Sequence, residues 1–116
     1  MKHAIELHED VAMARAIASA ATSAPGVASL GSGPSEGFAT YGPHETVEGV
    51  AIRRTTNGAI ASIAIVAEYQ PDRSLVELAG KVRRRALRAA AEVAAGGVDA
   101  VDVTIQDLLN PTGRNT

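Results

Sequence analysis

The spacing of apolar residues changes along the chain, and these changes predict the order of helices and strands. Between residues 9 and 22 apolar side chains recur every three or four positions, which predicts an amphipathic helix. Segments 47–53 and 59–69 instead alternate with a period of two, as strands do. Helical spacing returns over residues 74–95, and a last alternation over 100–105 predicts another strand.

The first helix carries its own boundary signals. Glu9 and Asp10 are expected in its first turn, where the positive end of the helix dipole stabilises carboxylates. Pro25 is expected to stop the helix, because proline lacks the N–H that would continue it and restricts the residue before it. The short apolar segment 27–30 that follows is compatible with one more strand.

The two central strands are predicted to form a hairpin. Asn57 and Gly58 lie between them, and this dipeptide tolerates the positive φ angles of a tight type I′ turn. On the second strand, one set of alternating positions is more uniformly apolar than the other. We expect that set to face the helices, and its members are Ala61, Ile63, Ile65, Ala67 and Tyr69.

The second helix has the clearest signals at both ends. Ser74, with Glu77 three residues later, matches a capping box, and Gly96-Gly97 matches a helix C-terminus. One stripe of this helix is apolar and is predicted to lie on the sheet. The nearly opposite side is basic, and its cations are Lys81, Arg84, Arg85 and Arg88, with Arg83 beside them.

The remaining segments complete a prediction of the fold. Residues 31–46 are rich in Gly, Pro, Ser and Thr and predict a long flexible loop, whereas 111–116 predict a disordered tail. A chain of 116 residues is then expected to form one domain over residues 1–110. The expected class is α+β in the order α-β-β-β-α-β, with both helices on one face of a three- or four-stranded sheet.

Composition limits both the core and the chemistry. Aromatic residues are only 3% of the chain, and alanine supplies much of its apolar content, so each buried side chain removes little surface from water. Extra burial between copies of the chain is therefore expected, through an edge strand or through the sheet face around Ile60 and Val66. The formal charge of −2 gives no strong field toward nucleic acid, and the lack of cysteine excludes thiolate sites.

The ends and the hydropathy of the chain bear on its location. The first residues, Met1-Lys2-His3, are soon followed by carboxylates rather than by a long apolar run, unlike a signal peptide. No apolar stretch approaches the roughly 20 residues that cross a bilayer. A cytoplasmic protein without direct membrane insertion is the corresponding expectation.

Four segments spread over residues 9–109 share an order and spacing with a known family. The first two are the helix end Ala24-Pro25-Gly26-Val27-Ala28 and the strand Val47-Glu48-Gly49-Val50-Ala51-Ile52. The others are Ala67-Glu68-Tyr69 leading to Ser74-Leu75-Val76-Glu77, and the closing Val101-Asp102-Val103-Thr104-Ile105-Gln106-Asp107-Leu108. Together they resemble the alkaline-shock family of bacterial envelope stress response proteins. The loop Phe38-Ala39-Thr40-Tyr41-Gly42-Pro43 is similar to that of actinobacterial members.

The resemblance implies a non-enzymatic cytosolic protein that is abundant or induced under envelope or alkaline stress. Members of the family self-associate, and some are held at the inner face of the cell membrane by a separate membrane-spanning partner. The expectation for this chain is a homo-oligomer that can lie peripheral to the membrane through a small membrane-spanning anchor protein. No catalytic residues are defined for the family, so the resemblance implies none here.

The basic side of the second helix is the candidate interaction surface, and three interpretations of it stay open. Its four cations could grip phosphates of RNA or of anionic lipid headgroups. They could be the solvated side of an ordinary amphipathic helix. They could also meet an acidic protein partner, or the chain's own Glu48, Glu68, Asp99 and Asp102. The near-neutral charge, the lack of exposed aromatics and the missing Gly-x-x-Gly clamp argue against nucleic acid.

No pattern in the sequence predicts catalysis, a metal or a cofactor. His3, His8 and His44 are scattered, and no carboxylate completes a recognisable metal site beside them. The glycines of segment 31–37 do not match a phosphate-binding loop, and no Lys-Ser or Lys-Thr pair follows them. A small-ligand enzyme with segment 31–43 as a lid is the weakest alternative.

Overall fold

The computed structural model describes residues 2–110 of the chain, with side chains from His8 onward. Within that range the elements are α1 (Lys2–Thr22), β1 (Val27–Leu30), β2 (Ala39–Tyr41), β3 (Thr46–Glu48), β4 (Val50–Arg54), β5 (Ala59–Glu68), α2 (Leu75–Val93) and β6 (Ala100–Leu109). Both helices pack on one face of a four-stranded sheet, which confirms the expected α+β class. The predicted tail, 111–116, lies outside the described residues.

The long strand β5 is the centre of the sheet. β6 runs parallel to it along one edge, and the parallel pair is joined by α2, the usual kind of crossover connection. β4 and β1 are antiparallel to β5 and share its other edge, β4 beside the first half and β1 beside the second. β2 and β3 form a separate antiparallel ribbon.

The core lies between β5 and the two helices. Alternation on β5 places Ile63 and Ile65 under the helices, and both are at most 1% exposed, as predicted. On the opposite face Ile60 and Val66 are only half-buried. Tyr69 departs from the prediction, because it follows the last residue of β5 and is 51% exposed. The core residues of the helices are Met13, Ala14, Ile17 and Ala21 from α1 and Leu78, Val82, Ala86 and Ala90 from α2.

The start of α1 differs from the prediction. The helix begins at Lys2, so Glu9 and Asp10 lie in its middle rather than in its first turn. Their carboxylates serve a tertiary contact instead, because both face Arg54 of β4. Arg54 Nε and Nη2 donate to Asp10 Oδ1 at 3.0 and 2.6 Å, and Nη2 lies 3.8 Å from Glu9 Oε1. This contact ties the first helix to the edge of the sheet.

Replacing Arg54 with alanine should lower the free energy of unfolding by about 1 kcal/mol, because two of its N–H groups donate to one oxygen of a carboxylate whose side chain is only 13% exposed. Arg53→Ala is the matched control, since Arg53 is exposed and has no ion pair with any side chain of residues 8–110. Urea denaturation of both variants measures the difference. Equal losses for the two arginines would contradict a stabilising role for the contact.

The segment predicted as a flexible loop, 31–46, contains regular structure. Its second half forms β2 and the start of β3, and the ribbon is fixed to β4 by the buried Thr40, whose hydroxyl donates to the Val50 carbonyl at 2.7 Å. The strand predicted over 47–53 is also divided in two, because Gly49 adopts a φ of +87° between β3 and β4. A positive φ cannot continue a strand, so the chain changes direction there.

The β4–β5 hairpin is confirmed, but its turn is not the predicted one. Neither Asn57 nor Gly58 has a positive φ, so the turn is not type I′. Glycine at position 58 leaves room for a side chain instead. A Cβ at this position would overlap the carboxylate of Asp99, which accepts a hydrogen bond from the Ala59 N–H at 3.2 Å.

The ends of α2 follow the sequence signals closely. Ser74 Oγ accepts a hydrogen bond from the Glu77 N–H at 3.2 Å, and Gly96 and Gly97 have φ angles of +82° and +54° after the last turn. β6 begins at Ala100 as predicted but runs to Leu109, past the expected end at 105. The extension follows a bulge, because Ile65 pairs with Ile105 whereas Val66 pairs with Asp107.

Candidate interaction surface

The orientation of α2 decides which of its side chains reach solvent. Its buried residues recur at four-residue intervals along one stripe, and α2 packs on α1 and on β6. The opposite side carries four exposed cations, as the sequence predicts. We call this group the basic face, and its members are Lys81, Arg84, Arg85 and Arg88.

None of the four cations of the basic face has an ion pair or a side-chain hydrogen bond among residues 8–110, whose side chains the structure describes. Other arginines do find partners, since Arg15 pairs with Glu45 and Arg54 with Asp10. The chain's own carboxylates are therefore not the partners of the basic face in the described part of the chain. Asp99, one of the expected candidates, accepts from a backbone N–H instead.

The basic face concentrates charge over a short length of helix. Its four cations fall within residues 81–88, which span about 12 Å along the axis at 1.5 Å per residue. Like charges at this spacing repel one another at a distance close to the Debye length of about 10 Å at 0.1 M salt. An anionic partner would relieve that repulsion, and its binding would weaken as salt is added.

Arg83, which the sequence places beside the basic face, has a different environment. Its Nε donates to the Val101 carbonyl of β6 at 3.1 Å. The side chain therefore lies on the flank of α2 that overhangs β6, away from the exposed cations. Sequence reasoning could not separate Arg83 from its neighbours, because the contact depends on where β6 joins the sheet.

The segment after β1 forms a cleft rather than an unstructured loop. A cavity of about 660 Å³ lies against segment 30–39, with Tyr41 and Glu48 on its wall. Gln106, at the bulge of β6, accepts from the Gly33 N–H at 2.7 Å and donates to Ser32 Oγ at 3.2 Å. These bonds cross β5 and hold the segment over the sheet. The cleft contains carboxylates and hydroxyls but no convergent set of reactive groups.

The other candidate residues are dispersed. His8 and His44 are exposed and lie on different elements, and the side chain of His3 lies outside the described residues. Among the described residues no three His, Asp or Glu side chains come together as a metal site requires. Neither of the two described helices is long and apolar enough to cross a bilayer.

Contrary to expectation, Tyr41 and Tyr69 are exposed, although neither lies on α2.

A group of exposed apolar residues was missed by the sequence reasoning. Val76 in the first turn of α2 is 83% exposed, and Leu108 and Leu109 at the end of β6 are 42% and 51% exposed. They lie at the same end of the molecule. α2 begins just after the end of β5, and β6 runs parallel to β5 and ends beside that point. The adjacent leucines Leu108-Leu109 were the available signal, since two consecutive apolar residues cannot both face one side of a strand.

Comparisons of the chain with protein-family models, with curated proteins and with solved structures found no match in any of the three. The resemblance to the alkaline-shock family therefore stays a prediction. The exposed, unpaired basic face is the feature of the described residues from which a function can be argued.

Proposed function

We propose that this chain is a non-catalytic interaction protein that self-associates and docks an acidic protein surface on its basic face. The observation that carries the proposal is that four exposed cations lie together on α2 without a partner in the described part of the chain. Carboxylates of a partner protein would supply the missing charge. Such contacts chiefly set orientation and association rate, which suits an assembly protein.

An acidic protein fits the basic face better than a nucleic acid does. The chain carries a formal charge of −2, so its field beyond α2 does not favour a polyanion of many phosphates. Single-stranded nucleic acids also use aromatic side chains interleaved with the cations. The two exposed tyrosines lie on or beside other elements, and α2 has no aromatic residue.

The resemblance to the alkaline-shock family supplies a setting for this activity. We place the protein in the cytoplasm, in the response to envelope or alkaline stress, as a homo-oligomer peripheral to the inner face of the membrane. A small membrane-spanning anchor protein is the kind of partner that the resemblance implies. The proposal then requires carboxylates on the cytoplasmic segment of that anchor protein.

Charge reversal of the basic face should weaken binding to acidic polypeptides without unfolding the domain. The variant carrying Arg84→Glu, Arg85→Glu and Arg88→Glu should bind poly-L-glutamate at least about tenfold more weakly, because three exposed pairs at roughly 0.5 kcal/mol each become repulsions. Fluorescence anisotropy at about 50 mM salt measures the affinity. Far-UV circular dichroism confirms that the variant is folded.

Single substitutions provide the matched control for this experiment. Arg84→Glu and Arg53→Glu change the net charge equally, but Arg53 lies on β4, outside the basic face. Only Arg84→Glu should weaken binding. Equal effects would show a response to net charge and would contradict a specific site. Tighter, steeply salt-dependent binding to single-stranded RNA or to phosphatidylserine vesicles than to poly-L-glutamate would replace the proposal with the phosphate-binding alternative.

A further inference from the structure

The outer edge of β6 is an open strand edge beside a mainly apolar flank of α2, and we propose that a second copy of this chain docks there. The two β6 strands would pair antiparallel across a two-fold axis at Thr104 and join two sheets into one. This proposal rests on the self-association in the proposed function and assigns it a surface. Three features of the described residues support it: the backbone groups of β6, the flank of α2 and the charges on the strand.

Hydrogen bonds in the centre of the sheet show which way the backbone groups of β5 point. The Ala64 N–H donates to the Gly49 carbonyl at 3.0 Å, and the Ala64 carbonyl accepts from the Gly31 N–H at 2.7 Å. The backbone N–H and C=O groups of even-numbered residues of β5 therefore point toward the edge that β4 and β1 share. Since direction alternates along a strand, odd-numbered residues of β5 bond to β6.

The parallel register then fixes the outward groups of β6. Ile63 lies opposite Val103, so its backbone bonds to the flanking residues Asp102 and Thr104, as parallel pairing requires. The N–H and C=O groups of Val103 point away from β5, and those of Ile105 do the same. Within residues 2–110 no strand lies on that side of β6.

One outward backbone group at each end of this stretch is already satisfied by a side chain of the same molecule. At one end the outward carbonyl of Val101 accepts from Arg83 Nε. At the other end the outward N–H of Leu108 donates to Asp107 Oδ1 at 2.8 Å. Val103 and Ile105 lie between these ends and keep both of their outward groups open among the described residues. Unpaired edge groups of this kind are the template on which another strand adds.

The flank of α2 above this edge is mainly apolar and contains one arginine. Val76, Gly80, Arg83 and Leu87 recur at intervals of four, three and four residues, so they share one side of the helix. The bond from Arg83 Nε to β6 shows that this side faces the open edge, and Val76 on the same side is 83% exposed. Arg83 has no ion pair among residues 8–110, and Arg84 Nη1 lies 3.4 Å from a Cβ built at Gly80, so both guanidinium groups border the apolar positions of the flank.

Gly80, on the same flank, also points to a close neighbour. Glycine inside a helix weakens it relative to alanine, and a Cβ at position 80 would meet only Arg84 Nη1, at an ordinary distance of 3.4 Å. Nothing within the described chain therefore requires glycine there. A second α2 that approaches over the seam between the two sheets would require glycine at this position, because it brings two helix backbones together.

The charges on β6 favour a second copy in one particular register. With the two-fold axis at Thr104, Val103 of one copy pairs with Ile105 of the other, and the outward groups of both residues are used. Asp102 then lies opposite Gln106, and the two Thr104 side chains meet, so no carboxylate faces another. Both copies of α2 lie on the same side of the joined sheet. The surface is thus complementary to itself, as a two-fold interface requires.

Disulfide cross-linking tests the geometry directly, because the chain contains no cysteine. Opposed residues of an antiparallel pair have Cβ atoms about 4.5–5.5 Å apart, close enough for a disulfide after a small adjustment. Thr104→Cys should therefore form covalent dimers almost completely at micromolar concentration with oxidised glutathione. Ser29→Cys, exposed on β1 at the opposite edge of the sheet, should stay mostly monomeric under the same conditions.

Sedimentation tests the interface without a covalent bond. Gly80→Glu should weaken dimerisation at least tenfold by placing two carboxylates across the axis, while Lys81→Ala, with the same change in net charge, should shift the dissociation constant less than twofold. If the unmodified chain associates but Gly80→Glu does not weaken it and Thr104→Cys does not cross-link, this interface is wrong and self-association stands. An unmodified chain that stays monomeric at millimolar concentration overturns both proposals.

Discussion

Ile63→Ala should lower the free energy of unfolding by about 3 kcal/mol, because it leaves a cavity in the centre of the core. Ile63 is 1% exposed, lies in register with Val50 on one side and Val103 on the other, and belongs to the buried cluster that both helices share. Alanine already lines much of this core, including Ala61, Ala86 and Ala90. Small neighbours offer few long side chains that could move into the space, so little relaxation is expected.

Ile60→Ala is the matched control, since it removes the same atoms from the opposite face of the same strand. Ile60 is half-buried, and its loss should cost about 1 kcal/mol in urea denaturation. Equal costs for the two isoleucines would contradict the placement of the core on the helix side. The same variant tests the alternative surface for self-association. Weakened dimerisation in Ile60→Ala would place a partner on the open sheet face rather than at the β6 edge.

The elements that the sequence predicts best are those whose signals are local. The alternation along β5 identifies its buried face, because successive side chains of a strand point to opposite faces of the sheet. The cap at Ser74 and the glycines at Gly96 and Gly97 act within one turn of α2, and all three appear where the sequence predicts them. The exposed basic face follows from the buried stripe on the same helix.

Features that depend on distant partners could not be predicted. Glu9 and Asp10 have the chemistry of a first helical turn, and only the position of Arg54 on β4 shows their actual role. The part of α1 that precedes Glu9 was likewise not predicted. The parallel pairing of β6 is likewise a long-range choice. Without it neither the contact of Arg83 nor the flank of α2 can be recognised.

The ribbon of β2 and β3 was missed for a different reason. Each strand has only three residues, too few for a period of two to stand out among glycines and prolines. Its position is set by single contacts, chiefly the Thr40 hydroxyl on the Val50 carbonyl. The sequence pattern reports the average composition of a segment, whereas a ribbon this short depends on individual bonds.

Gly49→Ala should be about as damaging as a core substitution, with an expected loss of about 3 kcal/mol. At a φ of +87° an alanine is strained by roughly 1 kcal/mol or more. Its Cβ would also lie 2.8 Å from the Gly31 carbonyl oxygen and 3.0 Å from Leu30 Cβ. The backbone cannot yield easily, because the Gly49 N–H donates to Phe38 and its carbonyl accepts from Ala64. Those two bonds join the ribbon to the sheet.

Gly96→Ala separates the two causes of that loss. Gly96 has a nearly identical φ of +82°, but no atom lies within 4 Å of a Cβ built there. Its substitution should therefore cost only the backbone strain, about 1 kcal/mol. Urea denaturation of both variants gives the difference, which measures the collision at Gly49. If both cost the same, the junction of ribbon and sheet adapts to a side chain, and the close packing at Gly49 contributes nothing to stability. If the difference is about 2 kcal/mol, the break between β3 and β4 is held by contact as well as by conformation.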